Sequence, residues 1–167
     1  MSRLSWGKKA ALALSLEVDL MRVMALDVGH KRIGVALSDP GQVLVSILQV
    51  IERKGQRQDL ITVVQLVREH GVGEIVVGYP RSLDGTVGRQ ARVVEHYVAV
   101  LEEKLRSSSL DVPVILWDER LSTVAAERLM AEAGRKGRER RERIDAAAAA
   151  VILRDYLDSS EQRAANE

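Results

Sequence analysis

Val23-Met24-Ala25-Leu26-Asp27-Val28-Gly29-His30-Lys31-Arg32-Ile33-Gly34-Val35-Ala36 is an apolar run that stops at a carboxylate, turns on a glycine beside two cations, and resumes as a second apolar run. A buried strand cannot slip by one residue without turning its apolar side chains toward water, so a carboxylate at its end is delivered to a fixed place. A fixed negative charge needs partners, and the rest of the chain offers several.

Outward from this stretch, strands are expected over 21–28, 33–38 and 43–51, joined by the Gly29–Arg32 turn and by Asp39-Pro40-Gly41-Gln42. The Asp-Pro-Gly step favours a tight turn, which predicts an antiparallel meander. Residues 52–58 are polar and read as a loop. Leu60, Val63, Val64 and Val67 recur at helical spacing and predict a helix over 59–70 that Gly71 closes. A short apolar strand over 74–79 ends at Pro80. The stripe Val87, Ala91, Val94, Val98, Leu101, Leu105 predicts a second helix, followed by a Ser107-Ser108-Ser109 linker. A strand over 112–117 then ends at Asp118-Glu119-Arg120. Ser122 or Thr123 can cap a helix over 124–133 that Gly134 stops, and a last helix is expected over 144–157. This order predicts an α/β fold: one mixed five-stranded sheet, its first three strands antiparallel and the later ones parallel, with helices on both faces.

The 167 residues suit a single folded domain over 21–158, preceded by an extension over 1–20 that is expected to be disordered and followed by a polar tail over 159–167. Lys8-Lys9 before Ala10 to Leu16 has a faint secretory look. Glu17 and Asp19 follow at once without a small-residue cleavage site, so Met21 is a candidate start and a cytoplasmic location without membrane contact is expected. The absence of cysteine excludes thiol catalysis, zinc fingers and iron–sulfur sites. A net charge of +1 means that a polyanion must be held by a local patch. Of 25 basic residues 19 are arginine, a bias that suits phosphate contacts and equally follows from genome composition. Aromatics at 3% with no Phe argue against recognition of stacked bases.

Three acidic positions carry the candidate chemistry: Asp27, the Asp118-Glu119 pair, and Asp145. The first two end parallel strands at the edge where open α/β sheets bind ligands. Asp145 shares a helical face with Ala149, Ile152 and Tyr156, an apolar face that should pack on the sheet and aim the carboxylate at the same edge. Converging carboxylates repel one another, and hard divalent cations, Mg²⁺ or Mn²⁺, relieve the conflict. Lys31, Arg32, Arg120 and the run containing Arg135, Lys136, Arg138, Arg140 and Arg141 would then hold the phosphates of a nucleic acid. Each feature also has a plainer reading. Asp27 can serve as a turn former for the Gly29 and His30 amides, Asp118-Glu119 as a solvated strand end, Asp145 as a partner of the helix dipole, and the basic run as a charged loop.

The chain resembles the YqgF or RuvX group of RNase H-like nucleases, described both as Holliday junction resolvases and as pre-16S rRNA nucleases. The matching pieces are Ala25 to Ala36, Val76-Val77-Gly78-Tyr79-Pro80 with Asp84-Gly85-Thr86, Asp118-Glu119-Arg120-Leu121-Ser122-Thr123, and Ile144-Asp145-Ala146 through Leu153, in the family's order. The resemblance implies an RNase H-like fold and a metal-dependent nuclease with Asp27, Glu119 and Asp145 as catalytic and metal-binding acids. It also implies a role in maturing the 5′ end of 16S rRNA in ribosome biogenesis, with precursor RNA, a pre-ribosomal particle or branched DNA as partners, the protein acting as monomer or homodimer. His30 stands where the family pattern suggests a small hydroxyl residue. The fourth strand ends Gly78-Tyr79-Pro80 where better-understood nucleases of this fold carry an acid, so the second ligand must come from Glu119 or from Asp84, with Asp118 also at hand; a strand end holds Glu119 the more rigidly. Two rival classes are an actin-like ATPase, for which no second Asp-x-Gly hairpin is present, and a non-catalytic RNA-binding assembly factor working through the basic run.

Overall fold

The computed structural model describes residues 21–81, 84–119 and 138–166, with the side chains of 138–143 left aside. The described elements run β1 (Arg22–Val28), β2 (Arg32–Ser38), β3 (Val45–Glu52), α1 (Gln56–His70), β4 (Val72–Tyr79), α2 (Arg89–Ser107), β5 (Val114–Asp118) and α3 (Arg138–Ala165). One five-stranded sheet takes the order β3-β2-β1-β4-β5. The β1–β2 and β2–β3 pairs are antiparallel, and β1–β4 and β4–β5 are parallel, as the meander followed by crossover helices requires. The ends of β1, β3, β4 and β5 and the start of β2 therefore share one edge.

The two-residue period of β1 sorts its side chains between two layers. Met24, Leu26 and Val28 pack with Ile33, Val35, Ile75 and Val77 under Leu60, Val63 and Val67 of α1 and Val94, Tyr97 and Leu101 of α2. Val23 and Ala25 face the other way with Ala36 and Val76, against Ala149, Ile152, Leu153 and Leu157 of α3. Small residues on both sides of this second layer bring α3 unusually near the sheet. At Gly34 even a methyl group would collide with the Asp145 backbone. Asp27 continues the Val23-Ala25 series and so lies on the α3 face.

Several boundaries differ from the sequence expectation. Helix α1 begins at Gln56, because polar Gln56, Arg57 and Gln58, the last two exposed, form a first turn closed by the Asp59 amide donating to the Gly55 carbonyl at 3.0 Å. Val87 lies outside α2, which starts after Gly88, and is exposed. Strand β3 starts at Val45 because the Asp39 carboxylate accepts the Gly41, Val43 and Leu44 amides and holds them in a loop. Those three bonds keep the Asp39 carboxyl below its usual range. Helix α3 runs from Arg138 to Ala165, so part of the expected basic loop and most of the polar tail are helical. Charged residues there cost little helix propensity and need no buried face once the middle of the helix is docked. The expected helix over 124–133 and its Ser122 or Thr123 cap lie outside the described residues.

Behind the β1–β2 turn sits a buried ion pair. Arg53 Nε donates to Asp59 Oδ2 at 2.8 Å, and Asp59 is only 1% exposed. The same guanidinium donates through Nη1 to the Gly29 carbonyl at 2.9 Å and lies over the Tyr97 ring. The Arg53 amide donates to the Lys31 carbonyl at 2.9 Å, and Gln90 Nε2 of α2 donates to the Val28 carbonyl at 3.0 Å. Removing one member of such a pair strands a buried charge, at a cost of about 3–5 kcal/mol. Asp59→Ala should lower unfolding free energy by about that amount in urea titrations, whereas the apolar double replacement Arg53→Met/Asp59→Leu should recover more than half of the loss.

Candidate active site

Asp27 stands on the central strand with glycines on both flanks. Gly34 is its register partner on β2, and Gly78 lies one step beyond the Leu26–Val77 pair on β4. Each glycine is a gap that another group fills. Over Gly34 passes the backbone of α3 at Asp145, and over Gly78 lies the Glu119 carboxylate beside Ile152. A glycine inside a strand usually marks such a close approach. The two gaps bring carboxylates from distant parts of the chain to either side of Asp27.

The electrostatics record the convergence. Burial, then the charges of Glu119 and Asp145, push the Asp27 carboxyl up to about 7. Burial and the Asp118 charge raise Glu119 as well. Arg32, whose side chain is 17% exposed, places Nη1 3.9 Å from Asp145 Oδ2. Among the described residues no three acid or histidine side chains close tightly enough to form a metal-ligating cluster. The acids are within electrostatic reach of one another without making a cage. A set of hard oxygen donors whose proton affinity is raised by burial and then by neighbouring carboxylates fits a divalent cation of the Mg²⁺ or Mn²⁺ kind, which offsets both.

The plainer readings fare unevenly. The Gly29 amide donates to the Arg32 carbonyl at 2.9 Å, so Asp27 does not serve that amide. With α3 starting at Arg138, Asp145 lies two turns inside it, beyond the reach of the helix-end charge. Asp84 accepts the Thr86 amide at 2.9 Å and its hydroxyl at 2.7 Å, which keeps its carboxyl below the usual range and commits it to its own exposed loop. Asp118 acts on Glu119, and Glu119 in turn acts on Asp27. Lys31 is exposed at the turn. Arg120, Arg135 and Lys136 lie outside the described residues; Arg138, Arg140 and Arg141 belong to the first turns of α3. Sequence reading missed Gly34, Gly78, Arg53 and Gln90 as determinants of the edge; a glycine one residue before the end of an apolar strand was the available signal for Gly78. Two cavities of about 460 Å³, one lined by Leu105 and Pro113 and the other by Met21 and Tyr156, do not include the acids.

A mixed five-stranded sheet in this order, with acids at the carboxyl ends of its central strand β1 and of its edge strand β5, is an RNase H-like fold. Thermus thermophilus RuvC in complex with a Holliday junction substrate shares it, with a TM-score of 0.55 at 13% identity over 84% of this chain and 96% of that one. The family model described as "RuvX: Holliday junction resolvase" matches residues 21–159. Proteins named "Putative pre-16S rRNA nuclease" from Roseiflexus sp. (strain RS-1) and Thermoanaerobacter pseudethanolicus are similar to this chain. The first is 46% identical over 138 residues, 83% of this chain and 94% of its own length. The second is 42% identical over 144 residues, 86% of this chain and all of its own length. The chain belongs to the RuvX family of nucleases.

The Asp27 environment gives a stability signature. Its folded proton affinity, about 7, lies above the usual 3.8, so between those values the folded state holds the proton more tightly and stability falls as pH rises. The loss is complete above about pH 7 and amounts to a few kcal/mol, about 1.4 per pH unit of separation. Urea titrations of metal-free protein should therefore find wild type weaker at pH 8 than at pH 5. Asp27→Asn should remove most of that difference and be the more stable protein at pH 8; an unchanged pH slope in the variant would contradict the assigned burial.

Proposed function

We propose that this protein is a Mg²⁺-dependent endonuclease, Mn²⁺ being a possible substitute, that hydrolyses phosphodiester bonds in structured nucleic acid and trims the 5′ end of 16S rRNA precursor. The carrying observation is the convergence of Glu119 and Asp145 on half-buried Asp27 through the gaps at Gly78 and Gly34. The substrate reading draws on the relatives named for pre-16S rRNA. The setting is the bacterial cytoplasm, on a pre-ribosomal particle, with the protein as monomer or homodimer. Among the described residues no helix is long and apolar enough to cross a membrane.

Asp27, Glu119 and Asp145 would hold the metal. Bound there, the metal supplies an activated water and charge stabilisation at the leaving oxygen. The protein's own part is positional. Strand β1 fixes Asp27 between its neighbours, Gly78 leaves room for the Glu119 carboxylate, and Arg32 orients Asp145. Hydrolysis adds water across the P–O3′ bond: the water oxygen joins phosphorus and O3′ leaves with a proton, giving 3′-hydroxyl and 5′-phosphate ends. Lys31 and Arg120, with Arg135, Lys136, Arg138, Arg140 and Arg141, would hold flanking phosphates.

A labelled 16S rRNA leader incubated with Mg²⁺ should be cut by wild type and lose at least about a hundredfold in rate with Asp27→Asn, Glu119→Gln or Asp145→Asn. Equal cutting by wild type and Asp27→Asn would end the proposal. Gly78→Ala, which displaces Glu119 without removing an acid, should cost about tenfold or more, on the scale of a misplaced catalytic group. The family description favours a second reading, a resolvase of branched DNA. Faster cleavage of a four-way DNA junction than of the RNA leader would select it.

A further inference from the structure

Three loops at the acid-bearing edge are tied into one body. The β1–β2 turn is held through its Val28, Gly29 and Lys31 carbonyls by Gln90 Nε2, Arg53 Nη1 and the Arg53 amide, at 3.0, 2.9 and 2.9 Å. The donors come from the two segments that open α1 and α2. Exposed on these same segments stand Lys31, Lys54, Arg57, Arg89 and Arg92. None of the five makes an ion pair among the described residues. Of the acids nearby, Asp59 is buried and taken by Arg53, Glu95 accepts the Tyr79 hydroxyl at 2.5 Å, and Glu52 ends β3 with partners of its own. No Phe, Tyr or Trp belongs to residues 29–32, 53–57 or 88–92, so these segments offer bases nothing to stack on.

We infer that these three tied loops form a phosphate-binding platform that seats the backbone of the nucleic-acid substrate on the side of the acids away from α3, with Lys54, Arg57, Arg89 and Arg92 as contacts beside Lys31. The inference rests on the nuclease reading of the acid edge. Two strand spacings separate β3 from β1, about 10 Å, which is enough for more than one phosphate. The ties hold the backbone that carries the cations before substrate arrives, so less loop ordering accompanies binding. With α3 covering the opposite face, the backbone crosses the sheet edge and the scissile phosphate lies over the acids.

The test uses full-length Asp27→Asn protein, which leaves RNA intact, and a labelled RNA hairpin with a single-stranded flank. Affinity is followed by fluorescence anisotropy between 50 and 200 mM salt, about the range in which phosphate contacts separate clearly. Lys54→Gln/Arg57→Gln and Arg89→Gln/Arg92→Gln should each weaken binding about tenfold and flatten the log–log salt slope by about 2, one for each phosphate no longer neutralised, with unchanged melting profiles. Slopes that stay at the parent value in both doubles, or a parent protein that does not bind the hairpin, would overturn the platform. Flattened slopes alongside a wild-type protein that cuts no nucleic acid would leave the platform standing and remove the nuclease reading.

Discussion

A carboxylate fixed on the central strand, desolvated there and held beside two others, is the constraint on which the rest of this structure depends. Asp27 belongs to the central strand, bonded on both sides and packed on both faces, so it cannot retreat from Glu119 and Asp145 without breaking the sheet. Protonation of Asp27 is one answer, its proton affinity being raised first by burial and then by the charges of Glu119 and Asp145. A cation is the other. A folded chain that maintains an unfavourable charge conflict in one place is storing the free energy with which a hard cation would bind there.

Glycine, and not an acidic residue, is what the strands flanking Asp27 contribute. A side chain at residue 78 would occupy the volume where the Glu119 carboxylate lies, and one at residue 34 would lift α3 and carry Asp145 outward. The run Ala146 to Ala150 has the same meaning on the helix side: Ala146 and Ala149 are buried against the sheet, and larger residues there would widen the layer. The Ala-rich stretch is therefore a close-packing surface as well as a good helix former.

The strands and the apolar stripes of the helices were legible because burial imposes a period, and β1, β2 and the Leu60–Val67 face of α1 follow it. The ends of α3 were not. Its middle is defined by docking, and Arg138 to Arg143 and Asp158 to Ala165, which extend it, carry no hydrophobic period to read. The three acids could be picked out because strand ends and an apolar helix face locate them. The gaps beside Asp27 could not, since a glycine's neighbour is decided by a segment far away in the chain. Arg53 and Asp59 were hidden for a related reason: a hydrophobic pattern has no symbol for a buried charge that is satisfied by another.

The adjacent cations Lys31 and Arg32 look equivalent in sequence and are separated by the geometry of the turn. Arg32 opens β2 on the face shared with α3, and its guanidinium is largely buried against Asp145. Lys31 stays in the turn, exposed, its carbonyl held by the Arg53 amide. One residue thus tempers the acid edge from within while the other remains directed to what lies outside it. An arginine suits the first position because its planar, weakly hydrated head tolerates burial beside a carboxylate, and a lysine suits the second because its compact, strongly hydrated charge favours an exposed place. The order Lys-Arg cannot be reversed without burying the ammonium and exposing the guanidinium, so the turn itself decides which cation faces the acids and which faces solvent.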